Sequence, residues 1–334
     1  MGQDRDDLAA LLRCWRFGLG LPAAVRYGWR MFAPLASAYD GIVAPMVARE
    51  IGAAEMPRVN LALRAMSVKI GETMVAYAAL AGRPPDVEVA ALAGAVTRLY
   101  DDLIDGDRGG DESLGDRLGS MFAATGHAVS PHAAVPHPAP YAAAADLERL
   151  LGRLVGEIRR RLDLRDGDIA VTGLLALHEY QCLSRRQREP GLSRAMLDKI
   201  CRGKGAMAHL TICGLVHPRM DAAEREIVMA LGEVLQSVDD YMDADLDRSN
   251  GVATPVSTGA TTLADIVAGF QALREPVAAR YGATATRGYY GMLYFLLLKS
   301  SAGRRLPFLG CIARQLASRS DTLAFLTRGA EVIP

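Results

Sequence analysis

Residues 227–247 read IVMALGEVLQSVDDYMDADLD. Ile227, Leu231, Leu235, Val238 and Met242 recur at three- and four-residue steps, the spacing of one face of an α-helix. Toward its end Asp239, Asp243 and Asp247 repeat every four residues and so form a ladder along one helix face, with Asp240 beside it. A long apolar stripe that ends in acid, with no period-two alternation, sets the expected class as all-α.

The same period recurs outward from this stretch. Leu147, Leu150, Leu151, Leu154, Ile158 and Leu162 form a second stripe, with Arg149, Arg153, Glu157 and Arg160 between them. Ala91 to Ile104 reads as one helix, bounded by Gly82-Arg83-Pro84-Pro85 before it and Gly106 after it. Further breaks fall at Glu189-Pro190-Gly191 and around Asn250-Gly251, and Tyr289 to Leu298 reads as a core helix ending at Lys299. Residues 123–140, rich in Ala, Pro and His, read as a loop. Ala, Leu, Met, Arg and Glu favour helix throughout, and neither strand alternation nor an internal repeat is visible. The expectation is a single large helical bundle over 1–334.

Half of the 334 residues are hydrophobic, enough for a large core, and 38 Lys plus Arg balance 38 Asp plus Glu. Zero net charge argues against a bulk polyanion, so no nucleic-acid partner is expected. Five cysteines without a CxxC pair point to reduced thiols rather than to a disulfide framework or a zinc site. The N-terminal MGQDRDD is acidic where a signal peptide would be basic, and no run of 18 apolar residues is free of charge. The expected location is therefore cytoplasmic, without a membrane span.

A second acidic motif, Asp101-Asp102-Leu103-Ile104-Asp105, closes the helix begun near Ala91. Asp101 and Asp105 share a face. Like charges at this spacing oppose the helix by about 0.2–0.5 kcal/mol per pair, and a helix C-terminus disfavours acid further. Hard divalent cations offset both. Mg²⁺ takes a few carboxylates and completes its octahedron with water and substrate phosphate. A solvated acidic helix end is the alternative reading. An EF-hand does not fit, because the stretch from Asp239 lacks glycine at the sixth position and glutamate at the twelfth.

With both motifs in view, residues 55 to 260 resemble the trans-isoprenyl diphosphate synthase superfamily, whose all-helical fold is shared by class IB terpene cyclases. Leu63-Arg64 resembles the end of that family's GGKRLRP segment, and Asp101, Asp102 and Asp105 its first Asp-rich motif. Gln181 resembles its GQ glutamine, and Lys204 in GKGAMAHL the lysine of its KT motif. LQSVDDYMDADLD resembles FQxxDDxxDxxxD through Gln236, Asp239, Asp240, Asp243 and Asp247, and Thr254-Pro255 resembles the TLP that follows. The resemblance implies an isoprenoid-synthase bundle and three Mg²⁺ ions on the aspartates. It also implies an allylic isoprenyl diphosphate substrate, its diphosphate met by Lys204, with Arg108 and Arg64 assisting. A homodimer is left open as the assembly.

The departures are equally specific. Leu61 and Ala62 stand where the family holds isopentenyl diphosphate with Lys and Arg, Arg108 alone follows the first motif, and Gly205 replaces the KT threonine. An acceptor diphosphate needs fixed cations. The resemblance therefore implies a terpene cyclase, a lyase. The alternatives are a prenyltransferase, either chain-elongating or using another acceptor, and a non-catalytic subunit of a synthase pair. Val96 and Thr97 lie one turn before the first motif, with Gly94 and Ala93 beyond. In the resembling family bulky aromatics at this level stop short chains. Small residues here imply a pocket for a geranylgeranyl chain or longer. Tyr77, Tyr100, Tyr180, Tyr241 and Tyr294 are the candidate cation-facing aromatics. Arg185, Arg186 and Arg188 read as a solvated basic face.

Overall fold

The computed structural model describes residues 9, 21–106, 112–123 and 142–305, and every element among them is helical. α1 spans Leu21–Ala38 and passes through a π-turn, Tyr39–Val43, into α2, Ala44–Glu50. There follow α3 (Met56–Leu80), α4 (Val87–Gly106), α5 (Glu112–Ala123), α6 (Ala142–Leu162) and α7 (Ile169–Ser184). A 3₁₀ turn, Arg185–Arg188, leads to α8 (Arg194–Val216), α9 (Ala222–Ser249), α10 (Leu263–Tyr281) and α11 (Ala283–Arg305). The Ala/Pro/His-rich loop lies outside the described residues from 124 to 140.

Local chemistry explains the boundaries. Pro57 sits in the first turn of α3, where a missing N–H is harmless. The side chains of Ser193 and Asp221 cap α8 and α9 by accepting from the backbone N–H three residues on, and Thr262 with Asp265 forms a capping box on α10. The breaks read from sequence at 82–85, 189–191 and 250–251 fall between helices. Gly82, Gly191 and Gly251 adopt positive φ there, which favours glycine.

The stripe in α6 buries Leu150, Leu151 and Leu154 completely against α4, each contributing about 1.5–3 kcal/mol. They belong to a core centred on α3, α4 and α6, while a second core gathers α9, α10 and α11. α8 lies between α7 and α9 and touches α3. Two seams of small residues bring these helices close. Gly205 and Gly232 meet so tightly that a Cβ on Gly205 would lie 2.5 Å from the Gly232 carbonyl oxygen. Gly214 likewise admits the α7 backbone at Ala170.

A third close approach joins α3 and α4, where a Cβ on Gly94 would land on the Ser67 backbone. Gly94 thus serves helix packing and does not deepen a pocket, contrary to the expectation from sequence. Gly94→Ala should lower the melting temperature, despite an intrinsic helix gain of about 0.8–1 kcal/mol, because overpacking costs about 1–3 kcal/mol or more. A melting temperature unchanged or raised would show that the two helices part freely.

The stretch Arg30–Glu50 is long and apolar enough to cross a membrane by length and composition alone. It contains Asp40, and its Leu35, Tyr39, Val43 and Val47 are buried in the first core.

Candidate functional site

A cavity of about 250 Å³ runs between α3, α4, α7, α8 and α9, with contributions from α5, α6 and α11. The end where the Asp239 side chain is 44% exposed, its mouth, carries Asp101, Gln181, Lys204, Gln236 and Asp239, and the other end carries Arg159, Leu164, Ala170 and Leu215. Gln181 and Ala170 lie at opposite ends of the same stretch of α7, so the cavity is roughly 16 Å deep at the helical rise of 1.5 Å per residue. Between the ends the wall is largely aliphatic.

The two acidic motifs, 138 residues apart in sequence as Asp101 and Asp239 (239 − 101), meet at this mouth. Asp101 accepts a hydrogen bond from Gln181 Nε2 at 3.1 Å, which ties α4 to α7. Asp102 is held by Arg98 one turn earlier, at 3.0 and 2.8 Å. On the opposite wall Lys69 Nζ donates to Asp239 Oδ1 at 2.6 Å, linking α3 to α9. Asp240 turns away from the Asp239 face toward α8. It is buried, accepts from Gln236 Nε2 at 2.9 Å and lies beside Cys201. A helix rotates about 100° per residue, so Asp240 does not share the ladder's face.

The acid is under electrostatic stress. Burial opposes the charge on Asp239, but the charge and hydrogen bond of Lys69, with Lys204 beyond, hold it below the usual carboxylate range. Asp240 is pushed up to about 6 by burial and by Asp239, against the hydrogen bond from Gln236. Asp243 is pushed up to about 6 by burial and by Asp239, against Lys69, Lys204 and Arg98. Burial and three neighbouring carboxylates, Asp240, Asp243 and Asp239, raise Asp247 to about 7. Burial first, and mutual repulsion second, oppose the charges on Asp240, Asp243 and Asp247, and a bound cation would relieve both.

A divalent ion fits such a donor set. Among the described residues no three His, Cys, Asp or Glu side chains converge into a ready-made metal nest. Mg²⁺ does not require one, since it binds through one or two carboxylates plus water and substrate phosphate. Asp101, Asp239 and Asp243 are the residues that would hold it. The side chain of Asp105, and the whole of Arg108, lie outside the described residues.

Most of the remaining sequence candidates gather here. Lys204 and Gln236 line the mouth, and Val96, Thr97 and Tyr100 line the α4 wall together with Ala93. Arg64 does not line the cavity. Its guanidinium is bidentate to Asp40 at 3.0 and 2.9 Å. Of the five tyrosines singled out, only Tyr100 lines the cavity. Tyr77 donates to Glu224, the Tyr180 ring fills the space beside Gly203, and Tyr241 and Tyr294 are buried in the second core. Arg186 of the basic turn pairs with Glu189 at 3.2 Å.

Sequence reasoning missed four residues at this site. Lys69 and Glu72 are the two charges in the run MSVKIGETM, and a cation three residues before that acid was a usable signal. The four-residue spacing of Arg98 and Asp102 was another. Phe122, which packs edge-on against Tyr100 at 5.4 Å, gave none. Neither did His209, a buried cavity residue that burial drives down to about 4, so it is neutral near pH 7.

Filling the α4 wall should shrink the cavity. Val96→Phe or Thr97→Phe is expected to weaken binding of a long apolar probe to the cavity by about 1–3 kcal/mol, the scale of overpacking. Unchanged binding in both variants would mean that these residues do not bound its free space.

Comparison with family models, curated proteins and solved structures returns no match for this chain.

Proposed function

We propose that this chain is a Mg²⁺-dependent class I terpene cyclase that ionises an allylic isoprenyl diphosphate, geranylgeranyl or longer, and closes the hydrocarbon chain into a ring. The observation that carries the reading is the meeting of two aspartate motifs at the mouth of a single apolar cavity, with Lys69, Lys204 and Arg98 around them. Bound Mg²⁺ would supply Lewis-acid stabilisation of the departing pyrophosphate.

The chain's own residues do the rest. Asp101 and Asp239 stand on opposite walls and would hold the divalent ion that attracts the anionic headgroup, while Lys204 offers a cation to its oxygens. Gln181 fixes the orientation of Asp101, and Gln236 that of Asp240. The aliphatic wall excludes water from the hydrocarbon. Tyr100 and Phe122 line the cavity, where an aromatic face turned to a developing cation is worth about 0.5–2 kcal/mol.

Leu61 and Ala62 favour cyclisation over chain elongation, because neither side chain can hold a second diphosphate. The test is incubation of pure protein and Mg²⁺ with geranyl, farnesyl, geranylgeranyl and geranylfarnesyl diphosphates, with and without isopentenyl diphosphate. A cyclic hydrocarbon formed without isopentenyl diphosphate is the expected product. A longer diphosphate formed only in its presence would replace the cyclase reading with a prenyltransferase.

A further inference from the structure

Lys69 is a mouth residue that neither acidic motif nor the resemblance brings in, and its placement is specific. It projects from α3 between the two motifs, with Nζ 2.6 Å from Asp239 Oδ1 and with Asp243 and Asp101 within reach of the same charge. Met66, Ile70 and Thr73 on its helix line the cavity with it. Its side chain remains about one-third exposed (33%), so it can swing. Arg98 differs, since both of its bonds close on Asp102 of its own helix.

We propose that Lys69 is the built-in counter-ion of the acid ladder and exchanges Asp239 for substrate phosphate when Mg²⁺ arrives. This rests on the reading of the mouth as a metal–diphosphate site. A hard cation bound to Asp239 would lie against the ammonium, and two positive charges cannot share that carboxylate oxygen without strong repulsion. The ammonium is a compact charge on a flexible four-carbon stem, with three donors and no acceptor. Displaced from Asp239, it needs another anion, and the diphosphate oxygens are the acceptors that enter with the ion. Lys69 then has two roles. It keeps bare metal from binding tightly, and it grips the headgroup once both have bound, so that metal and substrate load together.

The test is calorimetric titration of the full chain, first with Mg²⁺ alone and then with pyrophosphate at saturating Mg²⁺, for wild type, Lys69→Met and Lys69→Arg. Lys69→Met should bind Mg²⁺ alone about tenfold more tightly and pyrophosphate about tenfold more weakly, the scale of one charge-assisted hydrogen bond. Lys69→Arg should keep both affinities near wild type. A purely structural ion pair would move the melting temperature of Lys69→Met and leave both affinities alone, which would overturn the proposal. Unchanged or weakened Mg²⁺ binding in Lys69→Met, or unchanged pyrophosphate binding, would do the same. Failure of all three proteins to bind pyrophosphate would remove the reading of the site itself. The Mg²⁺ titration would then decide alone whether Lys69 guards the acids.

Discussion

Asp101→Ala and Asp239→Ala are each expected to reduce turnover of an allylic diphosphate by roughly a thousandfold or more, the scale of losing several kcal/mol of metal-mediated charge stabilisation. Both side chains line the mouth from opposite walls, so neither can substitute for the other. The fold should survive. Asp239 loses the Lys69 ion pair, whose side chains are 33% and 44% exposed, and such pairs contribute about 1 kcal/mol or less. Asp101 loses the hydrogen bond from Gln181. The measurement is kcat/KM beside a thermal melt. Full activity in either variant would contradict the two-wall site.

The second large effect concerns stability. Glu224, in the first turn of α9, is 1% exposed and gathers four partners. Tyr77 Oη and Tyr281 Oη donate at 2.8 and 3.0 Å, Arg280 at 2.9 Å, and His217 Nδ1 lies at 3.1 Å. The cluster ties α3, α8, α9 and α10 together. Glu224→Gln should destabilise by about 3 kcal/mol, the low end for a broken buried pair, because Arg280 keeps Asp221 at 2.8 Å.

The same carboxylate sets a pH dependence. Burial pushes its pKa up, but the hydrogen bonds from Tyr77, His217, Tyr281 and Arg280 outweigh burial and leave it below the usual glutamate value of 4.5. Its folded-state pKa is depressed, so its contribution is fully present above 4.5 and is lost as pH falls through the lower folded value. Denaturant melts of wild type and Glu224→Gln should therefore converge as the pH drops below about 4.5. A gap between the two that stays constant with pH would show that the charge of Glu224 is not what stabilises the cluster.

Much of the frame was legible because it is local. The stripes in α6 and α9 carry their period in the sequence, and the turns at Gly82, Gly191 and Gly251 declare themselves through glycine at positive φ. The aspartate ladder is likewise a matter of four-residue spacing. What escaped depends on tertiary contact. Arg64 is claimed by Asp40, 24 residues earlier, and Lys69 reaches Asp239 across 170 residues. Gly205, read from sequence as a lost threonine, is required by the approach of α8 to Gly232, where a larger side chain would force the helices apart. Asp240 belongs to the motif by spacing but to the α8 interface by rotation.

The central claim is that two aspartate walls and a divalent ion together expel pyrophosphate from an allylic substrate. Pyrophosphate release from geranylgeranyl diphosphate, followed with Mg²⁺ and again with excess EDTA, tests it most directly. The account predicts steady release with Mg²⁺ and none with EDTA. Release that continues undiminished in EDTA, or no release from any allylic diphosphate with Mg²⁺ present, would contradict it.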